Sequence, residues 1–187
     1  MADYKYLIIG AGITADAAVQ GIREVDPVGA IGVIGSEPHP PYDRPPLSKG
    51  LWQGKDPDSI WRGTAERGAE LLTGRTVEEL DPDNCRVRDD AGETHGYDRL
   101  LLATGGTPRR LPFGGDNIVY FRTFDDFERL HAMAEKGKHF AVIGGGFIGS
   151  EIAAALAMNG CRVTLLFPGA GICDRVFPQD LSAFLND

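Results

Sequence analysis

The chain is poor in cysteine. Among its 187 residues only Cys85, Cys161 and Cys173 carry thiols, an odd number in no C-x-x-C or C-x-x-x-x-C spacing. That argues against both a redox dithiol and a zinc cluster. Unpaired thiols of this kind fit a reducing compartment, and a cytoplasmic location is the expectation. Histidine is equally sparse: His39, His95, His131 and His139 stand singly, so no metal site is expected. No apolar run approaches the length of a membrane span. The first strand-like segment begins within a few residues of Met1, so a cleavable signal or transit peptide is not expected. Positive charge is in deficit as well. With 19 Lys and Arg against 27 Asp and Glu, the net charge of −8 leaves no basis for binding nucleic acid or an anionic membrane beyond the local pair Arg109-Arg110.

Glycine is what the chain has in quantity, 25 residues of it, against a hydrophobic share of 42% that suits a globular protein. Two of its glycine clusters have the same context. Gly10-Ala11-Gly12-Ile13-Thr14-Ala15 follows the apolar run Tyr6 to Ile9, and Gly144-Gly145-Gly146-Phe147-Ile148-Gly149 follows Phe140 to Ile143. Each then opens an alanine-rich helical pattern. A strand, a tight glycine turn and a helix N-terminus bring backbone N–H groups and the positive end of the helix dipole to a pyrophosphate. One such turn indicates a nucleotide; two indicate electrons passing between two dinucleotides.

The first turn belongs to a complete βαβ unit. A helix is expected from Ile13 to Val25, ending at Asp26-Pro27, and a second strand from Ala30 to Ile34. Glu37 then falls about 20 residues beyond the fingerprint, where an acid accepts the hydroxyls of a ribose; the alternative is a surface carboxylate in a loop. His39 to Lys49 contains four prolines, which preset φ and stiffen the loop. Arg44 and Lys49 would there be held as a fork and a point charge for phosphate oxygens, or would be solvated ends of a rigid linker.

Short strands broken by turns follow from Ala69 to Gly96, read as a small antiparallel meander: Leu71-Leu72, Thr76 to Leu80, Cys85 to Arg88 and Glu93 to His95. Leu100 to Ala103 is a further buried strand ending in Thr104-Gly105-Gly106, at the edge where open α/β sheets bind ligands. Thr123 and Asp126 form an acidic capping box for a helix to about Lys136. The second fingerprint helix should run from Phe147 to Asn159 and end at Gly160, with a strand from Arg162 to Phe167. Few residues remain after that strand, so the second domain reads as incomplete. The expected fold is α/β, with two Rossmann-like dinucleotide-binding domains in three layers, a parallel sheet carrying the meander, and the second domain and C-terminal part truncated. The expected boundaries are 1–114 and 115–187.

As a set, these segments resemble the FAD-dependent pyridine nucleotide reductases with two dinucleotide domains, in the branch of apoptosis-inducing factor and of ferredoxin and rubredoxin reductases. The segments are G-x-G-x-x-A, Glu37, PPYDRPPLSKGLW from Pro40 to Trp52, LLLATGGTPRRLP from Leu100 to Pro112, and GGGFIGSEIA from Gly144 to Ala153. The resemblance implies that Gly10, Gly12, Ala15 and Glu37 hold the ADP half of FAD, that Arg44 and Lys49 contact the flavin nucleotide, and that Thr104, Gly105 and Arg109 line it. Gly144, Gly146 and Gly149 would take NAD(P)H. Phe147 would lie where nicotinamide stacks, and Glu151, on the first helical turn, would pair with a buried Lys49 beside the flavin.

The implied reaction is hydride transfer from NAD(P)H to FAD, then electron delivery to ferredoxin, rubredoxin or a quinone. Three departures qualify it. The cysteine pair of disulfide-reducing relatives is absent around Ser48-Lys49-Gly50, so a disulfide is not expected as the acceptor. Gly169 stands where apoptosis-inducing factors can carry a ribose-binding Glu, although no arginine stands there either, and the lean is to NADH. The family's later Gly-Asp motif and C-terminal domain are missing from this sequence. A non-enzymatic signalling module and an inactive fragment are the alternatives.

Overall fold

The apolar N-terminal run forms β1 (Ala2–Ile9), which the first glycine turn joins to α1 (Ile13–Val25) and β2 (Ile31–Gly35). The helix begins and ends where glycine and Asp26-Pro27 punctuate the sequence. In this computed structural model, which describes residues 2–186, the chain forms two compact units. One comprises the chain up to Asp43 together with Ile60–Thr107; the other comprises Arg44–Ser59 and the chain from Pro108 onward.

The first unit is built on a six-stranded sheet that adds β3 (Ala69–Thr73), β4 (Val77–Asp81), β5 (Arg86–Asp89) and β6 (Thr94–Leu102) in the order β3-β2-β1-β6-β5-β4. β1 runs parallel to β2 and to β6, and β2 runs parallel to β3. All five residues of β2 are buried, as a central parallel strand covered on both faces requires. On one face Ala15 and Val19 of α1 pack with Ile8, Ile31, Val33 and Ala69; on the other, Tyr4, Leu7, Ile9, Ile34 and Val87 form a second cluster.

Two strand expectations are corrected here. The Leu71-Leu72 segment is not part of the meander: β3 lies parallel beside β2, because the long connection between them allows a crossover that a hairpin would not. The segments 93–95 and 100–103 are not separate strands either, since β6 runs unbroken from Thr94 to Leu102. Thr94 to Gly96 pair antiparallel with β5 on one side, and from His95 onward the strand pairs parallel with β1 on the other, so one strand serves both the meander and the core.

Two side chains tie α1 to the loop before β3. Near its start, Asp16 is fully buried and accepts hydrogen bonds from Thr64 (2.6 Å), Gln20 (2.6 Å), Arg62 (3.0 Å) and Arg67 (3.0 Å). Near its end, Arg23 donates to the backbone carbonyls of Asp26 (3.1 Å), Gly29 (2.8 Å), Arg67 (2.8 Å) and Gly68 (2.9 Å). A carboxylate at the N-terminal end and a guanidinium at the C-terminal end also suit the helix dipole.

The second unit contains α2 (Phe124–Met133), β7 (His139–Ile143), α3 (Phe147–Met158), β8 (Arg162–Leu166) and α4 (Gln179–Asn186). β7 and β8 form a two-stranded parallel sheet. The Thr123–Asp126 capping box starts α2, which ends at Met133, three residues short of Lys136. The later part of the proline loop packs here. Pro45–Ser48 and Gly50–Gln53 form successive 3-10 turns, and buried Trp52 stands edge-on to Phe127 with ring centroids 5.7 Å apart. Its indole N–H donates to the carbonyl of Leu47 at 2.8 Å. Arg44–Ser59 thus groups with residues from Pro108 onward. Among the described residues no helix is long and apolar enough to cross a membrane.

Candidate functional site

At the first glycine turn, the carboxyl ends of three strands converge. The Gly10 N–H donates to Ile34 and the Ala103 N–H to Ile9, each at 2.7 Å. Gly10 has φ +111°, and a Cβ there would lie 2.1 Å from the Ala103 carbonyl oxygen, so only glycine fits. Gly12 is the extended residue that starts α1 without a side-chain cap, and a Cβ on it would meet nothing within 4 Å. The arrangement leaves helix N-terminal amides facing an open approach, as a pyrophosphate requires. Ala15, at the third fingerprint position, is fully buried against the sheet. Thr104 and Gly105 leave the same sheet edge directly after β6 and are exposed.

Glu37 follows β2 and is half-buried. Its Oε2 accepts the hydroxyl of Tyr42 at 2.5 Å. Tyr42 is itself buried and forms an antiparallel bridge with Trp61, whose ring stands edge-on at 5.8 Å. From the next residue, Arg62 reaches both Asp43 (3.1 Å) and Asp16 (3.0 Å). Glu37 is therefore held in place rather than solvated in a loose loop. The Asp16 carboxyl is pushed up by burial, but hydrogen bonds from Thr64 and Arg62 and the charges of Arg67 and Arg62 outweigh this and hold it below its ordinary value. Sequence reasoning passed over Asp16, Tyr42 and Arg62.

In the second unit the Arg44 guanidinium donates to the carbonyl of Arg122 at 2.9 Å. Lys49 Nζ lies 2.8 Å from Glu151 Oε2, and Ser48 Oγ donates to the same oxygen at 2.6 Å, so residues 102 positions apart in the chain meet. Burial pushes the Glu151 carboxyl up; the Lys49 and Ser48 hydrogen bonds and the Lys49 charge more than offset it, leaving a lowered pKa. Two details differ from expectation. The Lys49 side chain is 54% exposed rather than buried, because it reaches Glu151 from the rim of its 3-10 turn. Glu151 follows the first turn of α3, which contains no acid. Ser48 was not anticipated as a third member.

Gly144 closes the second turn by donating to Leu166 at 2.8 Å. Gly146 starts α3 with no side-chain cap, and again a Cβ would meet nothing within 4 Å. A Cβ on Gly149 would lie 1.9 Å from the Gly144 carbonyl oxygen, so the helix and its turn touch there through glycine alone. Phe147 is half-exposed, with the Phe177 ring edge-on at 5.5 Å. Arg109 is exposed in the connection leading to α2. Beyond β8 the chain folds back, and the Cys173 N–H donates to Gly145 at 2.7 Å.

His95 and Asp89 form a structural clamp away from these turns. Asp89 accepts the backbone N–H groups of Ala91 (3.0 Å) and Glu93 (2.9 Å) and also meets Arg75 (3.3 Å) and His95 Nε2 (3.1 Å). Although these groups and Glu93 lie close enough to share a cation, Arg75 already supplies positive charge to Asp89.

This pairing of an α/β sheet with two glycine turns is that of a dinucleotide-binding protein. The chain belongs to the pyridine nucleotide-disulphide oxidoreductase family, whose profile matches residues 4–187. It is 35% identical to apoptosis-inducing factor 1, mitochondrial, of Dictyostelium discoideum over 98% of this chain and 40% of that protein. To the ferredoxin–NAD(+) reductase component of the anthranilate 1,2-dioxygenase system of Burkholderia cepacia it is 38% identical, over 97% and 47%. Among solved structures, the covalent putidaredoxin reductase–putidaredoxin complex superposes with a TM-score of 0.89 at 33% identity, covering all of this chain and 47% of that one. The chain thus spans about half the length of the relatives it matches.

Proposed function

We propose that this chain supplies the nucleotide-binding part of a FAD-dependent NAD(P)H oxidoreductase, with residues 1–114 serving FAD and 115–187 the nicotinamide cofactor. The observation that carries the reading is the contact of Lys49 with Glu151, which sits on the helix opened by the second glycine turn. A charge pair built there from residues far apart in sequence has little use in nucleotide binding alone. Gly10, Gly12, Ala15 and Glu37 would hold the adenosine and pyrophosphate of FAD; Arg44, Thr104, Gly105 and Arg109 would line the rest. Gly144, Gly146 and Gly149 would receive the pyrophosphate of NAD(P)H, and Phe147 would offer a ring face to nicotinamide. Bound together, the two cofactors supply hydride transfer from nicotinamide to flavin.

Lys49 would stabilise negative charge developing at a bound flavin, with Glu151 and Ser48 orienting its ammonium. The final acceptor would be a small redox protein such as ferredoxin or rubredoxin, or a quinone, reached in the cytoplasm. The ferredoxin reductase relatives support that choice of acceptor. The test is an absorption spectrum of the purified protein followed by rapid mixing with NADH. Flavin bands near one per chain that bleach on mixing, more slowly in Lys49→Met with FAD content retained, support the reading. A colourless protein that takes up no added FAD removes it.

A further inference from the structure

We infer that Asp174 is the acid that reads the adenosine ribose at the second glycine turn, and so selects NADH over NADPH. The inference rests on the reading of that turn as the nicotinamide-dinucleotide site. In such folds the acid that accepts the ribose 2′-hydroxyl follows the next strand, about 20 residues beyond the glycines. Here that stretch is Phe167-Pro168-Gly169, with no acid in it.

The backbone provides one from further along. Gly169 has φ +113°, and the Cβ it lacks would lie 2.1 Å from Asp174 Oδ2. The Asp174 carboxylate therefore occupies the space from which a side chain at position 169 would start. Glycine at 169 does not leave the site without an acid; it makes room for one delivered from five residues on.

The carboxylate is preorganised. The Ala170 N–H donates to Asp174 Oδ2 at 3.1 Å, leaving Oδ1 to accept a hydroxyl. The intervening loop is pinned to α4, where Ser182 Oγ donates to the Ile172 carbonyl (2.7 Å) and Asn186 Oδ1 accepts the Ile172 N–H (2.9 Å). It is also pinned to the glycine turn itself, by the Cys173 N–H on the Gly145 carbonyl at 2.7 Å. Phe167 lies over that turn as well, its ring atom Cγ 2.6 Å from where a Cβ on Gly145 would be. The acid and the glycine turn thus belong to one fixed assembly within the second unit. A ribose diol gains a charged acceptor there, whereas a 2′-phosphate would bring a second negative charge against it. Arg175 follows directly and is exposed, yet it is Asp174 that folds over Gly169.

The test is a titration of 15N-labelled protein with NAD+, with NADP+ and with NAD+ lacking the adenosine 2′-hydroxyl, following the amides of Gly144 to Gly149. NAD+ should bind roughly ten- to a hundredfold more tightly than its 2′-deoxy form, the scale of one hydrogen bond to a charged acceptor, and NADP+ should also bind more weakly. Asp174→Asn keeps an acceptor for Ala170 and should narrow the gap between NAD+ and NADP+. Asp174→Ala should close most of the gap between NAD+ and its 2′-deoxy form. Equal wild-type affinities for NAD+ and the deoxy form, or an NAD+ to NADP+ ratio unchanged in both variants, would overturn the role of Asp174 while leaving the turn as a dinucleotide site. If NAD+ shifts none of these amides, the reading of the turn falls and Asp174 falls with it.

Discussion

The two glycine turns share a motif but place its steric demand at opposite ends. In the first, the tight position is Gly10, which abuts the Ala103 carbonyl just beyond β6, and the third position is filled by a buried alanine. In the second, a Cβ on Gly144 would meet nothing within 4 Å, while Gly149 touches the backbone of its own turn. A crowded sheet edge constrains the start of one turn; close helix-on-turn packing constrains the end of the other. The same spacing of glycines can therefore arise from different contacts, while the positive φ of Gly10 (+111°) and of Gly144 (+120°) reserves the first position for glycine in both turns.

The largest expected effect follows from that contrast. Gly149→Ala drives a methyl into a backbone oxygen that has no rotamer to yield, and should destabilise the second unit by about 3 kcal/mol, the upper end of overpacking. Ala15→Gly should cost the first unit about 2 kcal/mol, through about 1 of helix propensity and about 0.8 for one lost buried methyl. Hydrogen exchange in α3 and β7, compared with α1 and β1, separates the two, and equal losses would break the comparison.

Next in size is Asp16→Asn. Arg62 and Arg67 keep about a third of their side chains exposed, so the loss should fall below that of a fully buried pair, at about 2 kcal/mol. Because the folded state lowers the Asp16 pKa, its contribution is complete above the ordinary carboxyl value of about 4 and disappears as pH falls through the lower folded value. Urea unfolding between neutral and acid pH should show a shallower acid limb in the variant. An unchanged limb would assign that slope to other carboxylates.

A smaller effect is expected for Tyr42→Phe, which removes the hydroxyl from Glu37 and should weaken AMP binding at the first turn by about 1 kcal/mol. Calorimetry with AMP measures it, and Glu37→Ala should abolish the difference between Tyr and Phe at 42. The smallest concerns Lys49→Met. With the lysine half in solvent, the change should alter thermal stability by less than about 1 kcal/mol, even where it slows flavin reduction. A large drop in melting temperature would recast the pair as a structural tie.

Much of the first unit was legible because its punctuation is local: Gly12 and Asp26-Pro27 bound α1, and β2 is apolar enough to read as a buried strand. The direction of β3 was not legible, since Leu71-Leu72 looks the same parallel or antiparallel, and only the crossover decides. The glycine turns could be read from spacing, whereas Lys49 and Glu151 came together only through resemblance to relatives. Asp16 was missed because an acid in an alanine run looks like a surface residue. The usable signal was its place between Ala15 and Val19, on the face that α1 buries. Asp174 was missed for a different reason: an acid was sought at a position along the chain, and the loop delivers it in space.

The clasp of α1 at both ends by Asp16 and Arg23 makes the neighbouring loop 61–68 something other than an irregular connection. It has little backbone ladder of its own, yet its carbonyls and side chains are fastened to a core helix by two groups of opposite charge. Such a segment opens when the helix opens, and its amides report the stability of the whole sheet rather than local fraying. Proteases should find no early cut there. A lysine at 23, whose single ammonium cannot span four carbonyls, would release the loop as an independent fluctuating part while leaving the helix folded.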